Sequence, residues 1–443
     1  MGLSVIIYNM GIGLYRLGVG VAALAGNKKA RKWIEGRKPV WAQLGSLGAT
    51  GAVWVHAASL GEFEQGRPVL EAIREQYPGR KIVLTFFSPS GYEVRKNYPG
   101  ADLICYLPLD TAANARRFVE TLRPSVAIFI KYEFWYHYIK ALNVPLLLIS
   151  GIFRPDQLFF RWHGGLYREL LRDMVHIFLQ NQESVDLLKG IGIQHVSLSG
   201  DTRFDRVWEL RQHPAHLPVI ARFCGDNKRV LVAGSTWEAD EALLAGWWTT
   251  QSGTGRQLII APHEIGESHI NKIRQQFPSA MLYSELAADE NAPRPDVLII
   301  NNVGMLSAMY RYGDIAYVGG GFGKDGIHNL LEPAAYSKPV IIGPVYEKYY
   351  EAVQLVSLGG AISIDGLKGF SDAMAALEEP HIYLNKASIA GDFIRDNRGP
   401  RGRSWNILRR RHSFKINNIN LKENSHVEQH PHGTNYARLR YIR

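Results

Sequence analysis

The sequence predicts an α/β protein of two doubly wound, Rossmann-like domains facing across a cleft, preceded by a membrane-associated helix. Three observations carry this. Short β-branched runs alternate with amphipathic stretches from residue 52 onward, in two series separated by a segment with no strand pattern. Several runs end in loops rich in glycine and hydroxyl residues, the position at which doubly wound sheets bind ligands. Residues 3–25 are apolar and glycine-rich, and a basic cluster follows them.

The first element, LSVIIYNMGIGLYRLGVGVAALA, is apolar except for Asn9 and Arg16. A secretory signal places its charge before the apolar stretch, whereas here NKKARKWIEGRK comes after it. An arginine at mid-depth costs about 2.5–3.5 kcal/mol on insertion scales. A helix lying in, or dipping into, the inner-leaflet interface fits better than a simple span, with the basic cluster on anionic headgroups. A core helix followed by a solvated turn is the alternative.

AVWVHA, KIVLTFF, LICYLP, VAIFI, PLLLIS, IFLQN and VSLSG read as the first strand series. RVLVAGS, QLIIAP, VLIIN, IAYVGG, PVIIG and AISI read as the second, with 205–228 as the linker between them. The expected division is a membrane-associated helix and basic flank over 1–38, an acceptor domain over 39–210, a donor domain over 211–394, and a basic disordered tail over 395–443. A chain of 443 residues that is 46% hydrophobic can fill two such cores. Its two cysteines exclude a disulfide framework and a four-thiolate zinc site, and point to a reducing compartment. The net charge of +10 divides into +6 over residues 1–38, −5 over 39–394 and +9 over 395–443, a pattern foreign to a nucleic-acid binder. The tail histidines His412, His426, His430 and His432 lack metal-ligand spacing.

Chemistry concentrates at strand ends. In VWVHAASLGEFEQGRPVL a strand ends at His56, a small-residue loop follows, and a helix begins near Glu62. A carboxylate there is either an ordinary capping acid or, if it faces the cleft, an acceptor for a substrate hydroxyl proton. Glu133 follows strand 126–130 among Phe134, Trp135 and Tyr136, which either raise its pKa or simply pack. FFSPSGYE at 86–93 is a further strand-to-helix turn, either a contact for an anion or a sugar or an ordinary serine-proline turn. AYVGGGFGKDGIHNLLEPAAY at 316–336 lets backbone approach a ligand closely, and a helix expected near His328 places Glu332 one turn in, within reach of ribose hydroxyls. The segment lacks the lysine and hydroxyl of a P-loop and the dinucleotide glycine spacing, so a nucleotide-sugar fits it better than ATP or NAD. Ser235, Thr236 and His263 lie at two further strand ends.

HAASLGEFEQGRP, YLPLD at 106–110, GDTRFD at 200–205, NNVGMLSAMY at 301–310 and GGGFGKDGIHNLLEPA resemble, in this order, the 3-deoxy-D-manno-octulosonic acid (Kdo) transferases of Gram-negative lipopolysaccharide synthesis. The likeness runs to about residue 398. It implies a two-domain GT-B fold anchored at the cytoplasmic face of the inner membrane, CMP-Kdo as donor, a lipid A precursor of the lipid IVA type as acceptor, and inversion at the anomeric carbon. The sequence shows no cation-binding cluster, so no metal is expected, nor a cofactor. Glu62 would be the general base, with Glu133 and Arg203 in the catalytic set. The CMP positions would be Pro262, His263, Val303, Gly304 and Met305, then Asn329, Leu330, Leu331 and Glu332. The chain departs from the family pattern at Lys131, where a glutamate is usual, at Ala261, Pro262 and His263, where relatives often read proline-arginine-histidine so that one donor-site cation is missing, at Met305 for glutamate and at Arg203 for lysine. The closing helix that returns to the N-terminal domain is not legible after DNRGP, which implies weakened docking. A sugar-nucleotide epimerase of the same fold is the alternative, disfavoured by the apolar helix, and a non-catalytic nucleotide-binding protein is disfavoured by Glu62.

Overall fold

The computed structural model describes residues 2–48, 51–225, 229–251 and 255–399. Strands β1 (Val53–Ala57), β2 (Ile82–Phe86), β3 (Leu103–Tyr106), β4 (Val126–Ile130), β5 (Leu146–Gly151), β6 (His176–Leu179) and β7 (Val196–Leu198) form one sheet in the order β3-β2-β1-β4-β5-β6-β7. Strands β8 (Arg229–Thr236), β9 (Arg256–Pro262), β10 (Met281–Leu282), β11 (Val297–Ile299), β12 (Ile315–Val318), β13 (Val340–Ile342) and β14 (Ala361–Ser363) form a second, in the order β10-β11-β9-β8-β12-β13-β14. Every neighbouring pair is parallel. Each run read as a strand forms one. The added strand β10 is two residues long, too short to leave a periodic signal.

Parallel sheets need helices on both faces, so their strands are apolar throughout rather than alternating. Accordingly every residue of β1, β2, β4 and β5 is buried. Strand order reverses between β1 and β4 in the first sheet and between β8 and β12 in the second, leaving a crevice at the carboxyl ends of each pair. The helix Leu60–Gln76 closes tightly over the first crevice, because a Cβ on Gly66 would run into the Ile130 side chain at the end of β4.

The N-terminal helix Leu3–Leu24 is not a core helix: only Val5 is buried, and Leu3, Met10, Leu14, Leu17 and Leu24 are exposed. It is clipped on through polar side chains instead. The Tyr8 hydroxyl donates to Asp110 Oδ2 (2.5 Å) and accepts from Tyr136 N–H (3.3 Å), and Asn9 Oδ1 meets His137 Nε2 (2.6 Å). Asp110, the last residue of YLPLD, also accepts from His137 and Tyr138 N–H, both at 3.1 Å. Tyr15 packs against Trp33 and Phe87. The basic helix Lys28–Glu35 follows, capped by the Asn27 side chain.

One expectation about the C-terminal end needs correction. The last described helix, Pro380–Asn397, runs past residue 395 and packs on the helix that links the two units. Phe393 meets Phe204 edge-to-face at 5.2 Å, Arg398 lies over Trp208, and Gly399 N–H donates to Asp205 Oδ1, all on the helix Arg203–Gln212. Residues 400–443, with the four tail histidines, lie outside the described residues. The described part of the expected linker, 205–225, holds the end of that helix and a second, Pro218–Cys224.

Candidate active site

The first crevice is built from the ends of β1 and β4. After Ala57 the chain turns through Ala58 and Ser59 into the helix that carries Glu62 in its first turn. Glu62 Oε2 accepts from Ala58 N–H (2.7 Å) and Ser59 N–H (3.0 Å), so the capping reading holds. Its other oxygen has no hydrogen-bond partner among the described residues. Burial, and secondarily the negative charge of Glu133, push its carboxyl up to about 7, against the pull of Lys131 and the two N–H groups. Glu62 therefore caps the helix with one oxygen and leaves the other at the crevice without a described partner.

Glu133 is more enclosed. It is buried, and its Oε2 meets His56 Nε2 at 2.8 Å and Trp135 Nε1 at 2.5 Å. The other His56 nitrogen, Nδ1, meets Thr85 Oγ1 at 2.8 Å. Glu133 thus holds the floor of the crevice and sets the charge around Glu62. Arg203 is likewise committed: Nε and Nη2 donate to Asp201 Oδ2 (2.9 and 2.5 Å), and Nη1 meets Glu351 Oε1 (2.9 Å). The two carboxylates outweigh the burial of the guanidinium and hold it firmly protonated. Asp201 precedes the Arg203–Gln212 helix and Glu351 opens the helix Tyr350–Ser357 of the second unit, so the triad ties the two units together.

The second crevice lies between the ends of β8 and β12. Gly319, Gly320 and Gly321 follow β12 where no side chain fits: a Cβ on Gly319 would sit 2.5 Å from Ser235 O, and one on Gly321 2.6 Å from Gly343 Cα. Gly321→Ala should therefore destabilise this unit by about 1–3 kcal/mol, read as a lower thermal midpoint. Asp240 organises the loop, accepting from Gly320 N–H and Trp237 N–H (both 2.9 Å) and from the Tyr317 hydroxyl (2.5 Å). Above it, Trp237, His263 and His328 form a ring stack, with centroids 4.6 Å apart for Trp237–His263 and 4.5 Å for His263–His328. Burial lowers the pKa of both histidines, that of His328 to about 4 with help from His263.

The helix expected near His328 starts later, at Leu331, and is five residues long. Asn329 Oδ1 accepts Leu331 N–H, and Asn329 Nδ2 donates to Glu332 Oε1. Burial pushes the Glu332 carboxyl up to about 7, and Glu64 on the Leu60–Gln76 helix adds to the rise. Leu330 and Leu331 point into the core, so only their backbone is available to a ligand. Pro262 ends β9, and His263 N–H donates to Thr236 O. Val303 and Gly304 are exposed on the loop after β11, with Gly304 at φ +94° and Met305 partly packed below. Trp237, Asp240, His56 and Glu351 were not singled out as site residues. Asp240 was legible in principle, as an acid three residues after a strand-to-helix turn.

A family model described as 3-deoxy-D-manno-octulosonic-acid transferase (kdotransferase) matches residues 27–206. A protein of that name from Aquifex aeolicus is 30% identical over 317 residues, covering 70% of this chain and 81% of the relative. One from Bordetella pertussis is 27% identical over 347 residues, covering 74% and 80%. Among solved structures, UDP-GlcNAc 2-epimerase from Neisseria meningitidis aligns with a TM-score of 0.57 at 13% identity, covering 81% of this chain and 99% of that one. The calicheamicin glycosyltransferase CalG4 aligns at 0.51 and 11%, covering 83% and 100%. These structural likenesses speak for the fold, which is GT-B. The sequence relatives speak for more: with the crevice acid in its LGEF turn and the glycine loop opposite, the chain belongs to the Kdo transferase family of glycosyltransferases.

Proposed function

We propose that this protein transfers Kdo from CMP-Kdo to a lipid A precursor of the lipid IVA type, at the cytoplasmic face of the inner membrane, with inversion and with Glu62 as general base. The observation that carries the base assignment is the unpartnered Glu62 oxygen at the β1/β4 crevice, on a carboxyl held near 7. A base needs a pKa near the working pH, and a carboxylate at its ordinary value would accept a hydroxyl proton poorly.

In this mechanism the acceptor sugar hydroxyl attacks the ketosidic carbon of Kdo while Glu62 takes its proton. The bond from that carbon to the phosphate oxygen breaks, and CMP leaves with the electron pair. Pro262 and His263, the backbone of Val303, Gly304 and Met305, and Asn329 to Glu332 surround the nucleotide. The neutral histidine stack offers it a flat face, and Gly319–Gly321 let backbone N–H groups approach the phosphate. Glu133 and Arg203 serve by position: one fixes His56 and the charge beside Glu62, the other locks the two units.

The exposed apolar face of the Leu3–Leu24 helix would lie in the inner leaflet, with Lys28, Lys29, Arg31 and Lys32 on anionic headgroups. Replacing both Leu14 and Leu17 by Asp should lower the partition onto anionic vesicles by more than tenfold, measured by flotation, while leaving the thermal midpoint within about 2 °C, since neither is buried. The function itself is tested with purified protein, CMP-Kdo and a tetraacylated lipid A precursor, following CMP release and lipid mass. Absence of any Kdo addition by folded protein would end this reading.

A further inference from the structure

Lys131 is the first residue beyond β4, in the same crevice as Glu62. Its backbone is left-handed, at φ +69°, a conformation that costs a lysine roughly 1–3 kcal/mol and a glycine almost nothing. Backbone strain at a ligand crevice asks what the side chain is for. Its N–H is satisfied by Ile149 O (2.9 Å), but its ammonium makes no hydrogen bond or ion pair among the described residues, and its one described ring contact is Tyr132, 5.3 Å away.

Each of the carboxylates that surround it already holds another partner. Glu62 spends one oxygen on two backbone N–H groups, while Asp201 and Glu351 are tied to Arg203. Burial and the nearby Arg203 both work against the ammonium, while Asp201, Glu62 and Glu351 favour it. A half-buried cation that is left without a direct partner in a crevice is completed by an anion from outside.

The chemistry of the donor says which anion. In a 3-deoxy-2-ulosonic acid the reacting ketosidic carbon itself carries the carboxylate. When a hydroxyl held by Glu62 attacks that carbon, the sugar carboxylate is brought close to an ionised Glu62, and two carboxylates converging in a desolvated crevice repel. A cation beside Glu62 offsets this repulsion and fixes which face of the sugar meets the nucleophile.

We propose that Lys131 binds the carboxylate on the reacting carbon of the donor sugar, seating it beside Glu62. This rests on CMP-Kdo being the donor. It makes Lys131, rather than Arg203, the group of the first unit that reads the sugar acid, leaving the nucleotide to the second unit.

The test is titration of the full-length protein with CMP and separately with CMP-Kdo, in the absence of acceptor, for the native chain and Lys131→Met. Loss of a charge-assisted hydrogen bond should weaken CMP-Kdo by about 10- to 100-fold. CMP, which lacks the sugar, should bind within twofold of the native value. Lys131→Arg, which keeps the charge, should recover most of the CMP-Kdo affinity. An equal loss for both ligands would assign the ammonium to the phosphate and overturn the inference, as would no loss for either. If the native, folded protein binds CMP but not CMP-Kdo, it is the donor reading that fails. Should the Met variant not fold, Lys131→Asn supplies the same comparison, since asparagine tolerates the left-handed backbone.

Discussion

Glu62→Gln is expected to lower kcat by about 10²–10⁴-fold, the contribution of a positioned general base, while CMP affinity and the fold are retained. The amide oxygen of glutamine can still accept from Ala58 and Ser59 N–H, so the helix start is kept and only proton acceptance is lost. The native enzyme should gain activity as pH rises through about 7, where the Glu62 carboxyl ionises, and that limb should vanish in the variant. Stability should move the other way. A carboxyl whose folded pKa lies above its unfolded value destabilises the fold as it ionises, from the unfolded value near 4.5 up to about 7, and by a constant amount above. Glu62→Gln removes that penalty, so the variant should melt at a higher temperature than the native protein at pH 8 and show little difference at pH 4. Substantial turnover by the variant would take the base role away from Glu62.

The reason Glu62 resists assignment from sequence alone is visible in this geometry. A strand, a small-residue loop and an acid in the first helical turn is the pattern of a capping acid, and Glu62 is one. What raises its carboxyl to about 7 is desolvation by the crevice and the charge of Glu133, which arrives from β4 some seventy residues later and outweighs the opposing pull of Lys131. Parallel strands, by contrast, announce themselves locally, because burial on both faces demands an unbroken β-branched run; β10, with two residues, is the exception. The same division holds in the second unit. The glycine loop was legible because backbone crowding by Ser235 and Gly343 excludes any side chain, whereas the Trp237–His263–His328 stack joins three separate loops. The Arg203–Glu351 pair spans 148 residues of sequence, and no local pattern could have joined them.

That pair carries the second large effect. Arg203→Met should destabilise the protein by about 3–5 kcal/mol, because it strands two carboxylates whose side chains are only 7% and 9% exposed. For units of this size the thermal midpoint should fall by roughly 6–20 °C. Arg203→Lys should fall between, since an ammonium keeps the charge but cannot reproduce the guanidinium fork that meets Asp201 and Glu351 together. If Arg203 instead met the donor phosphate directly, the dominant loss would be in CMP affinity, and the midpoint would move little. The two roles separate cleanly in a double substitution. Glu351→Gln added to Arg203→Met removes one of the stranded charges and should restore part of the lost stability, a coupling that measures the bridge itself. A phosphate ligand would show no such recovery, because neutralising Glu351 returns no cation to the nucleotide.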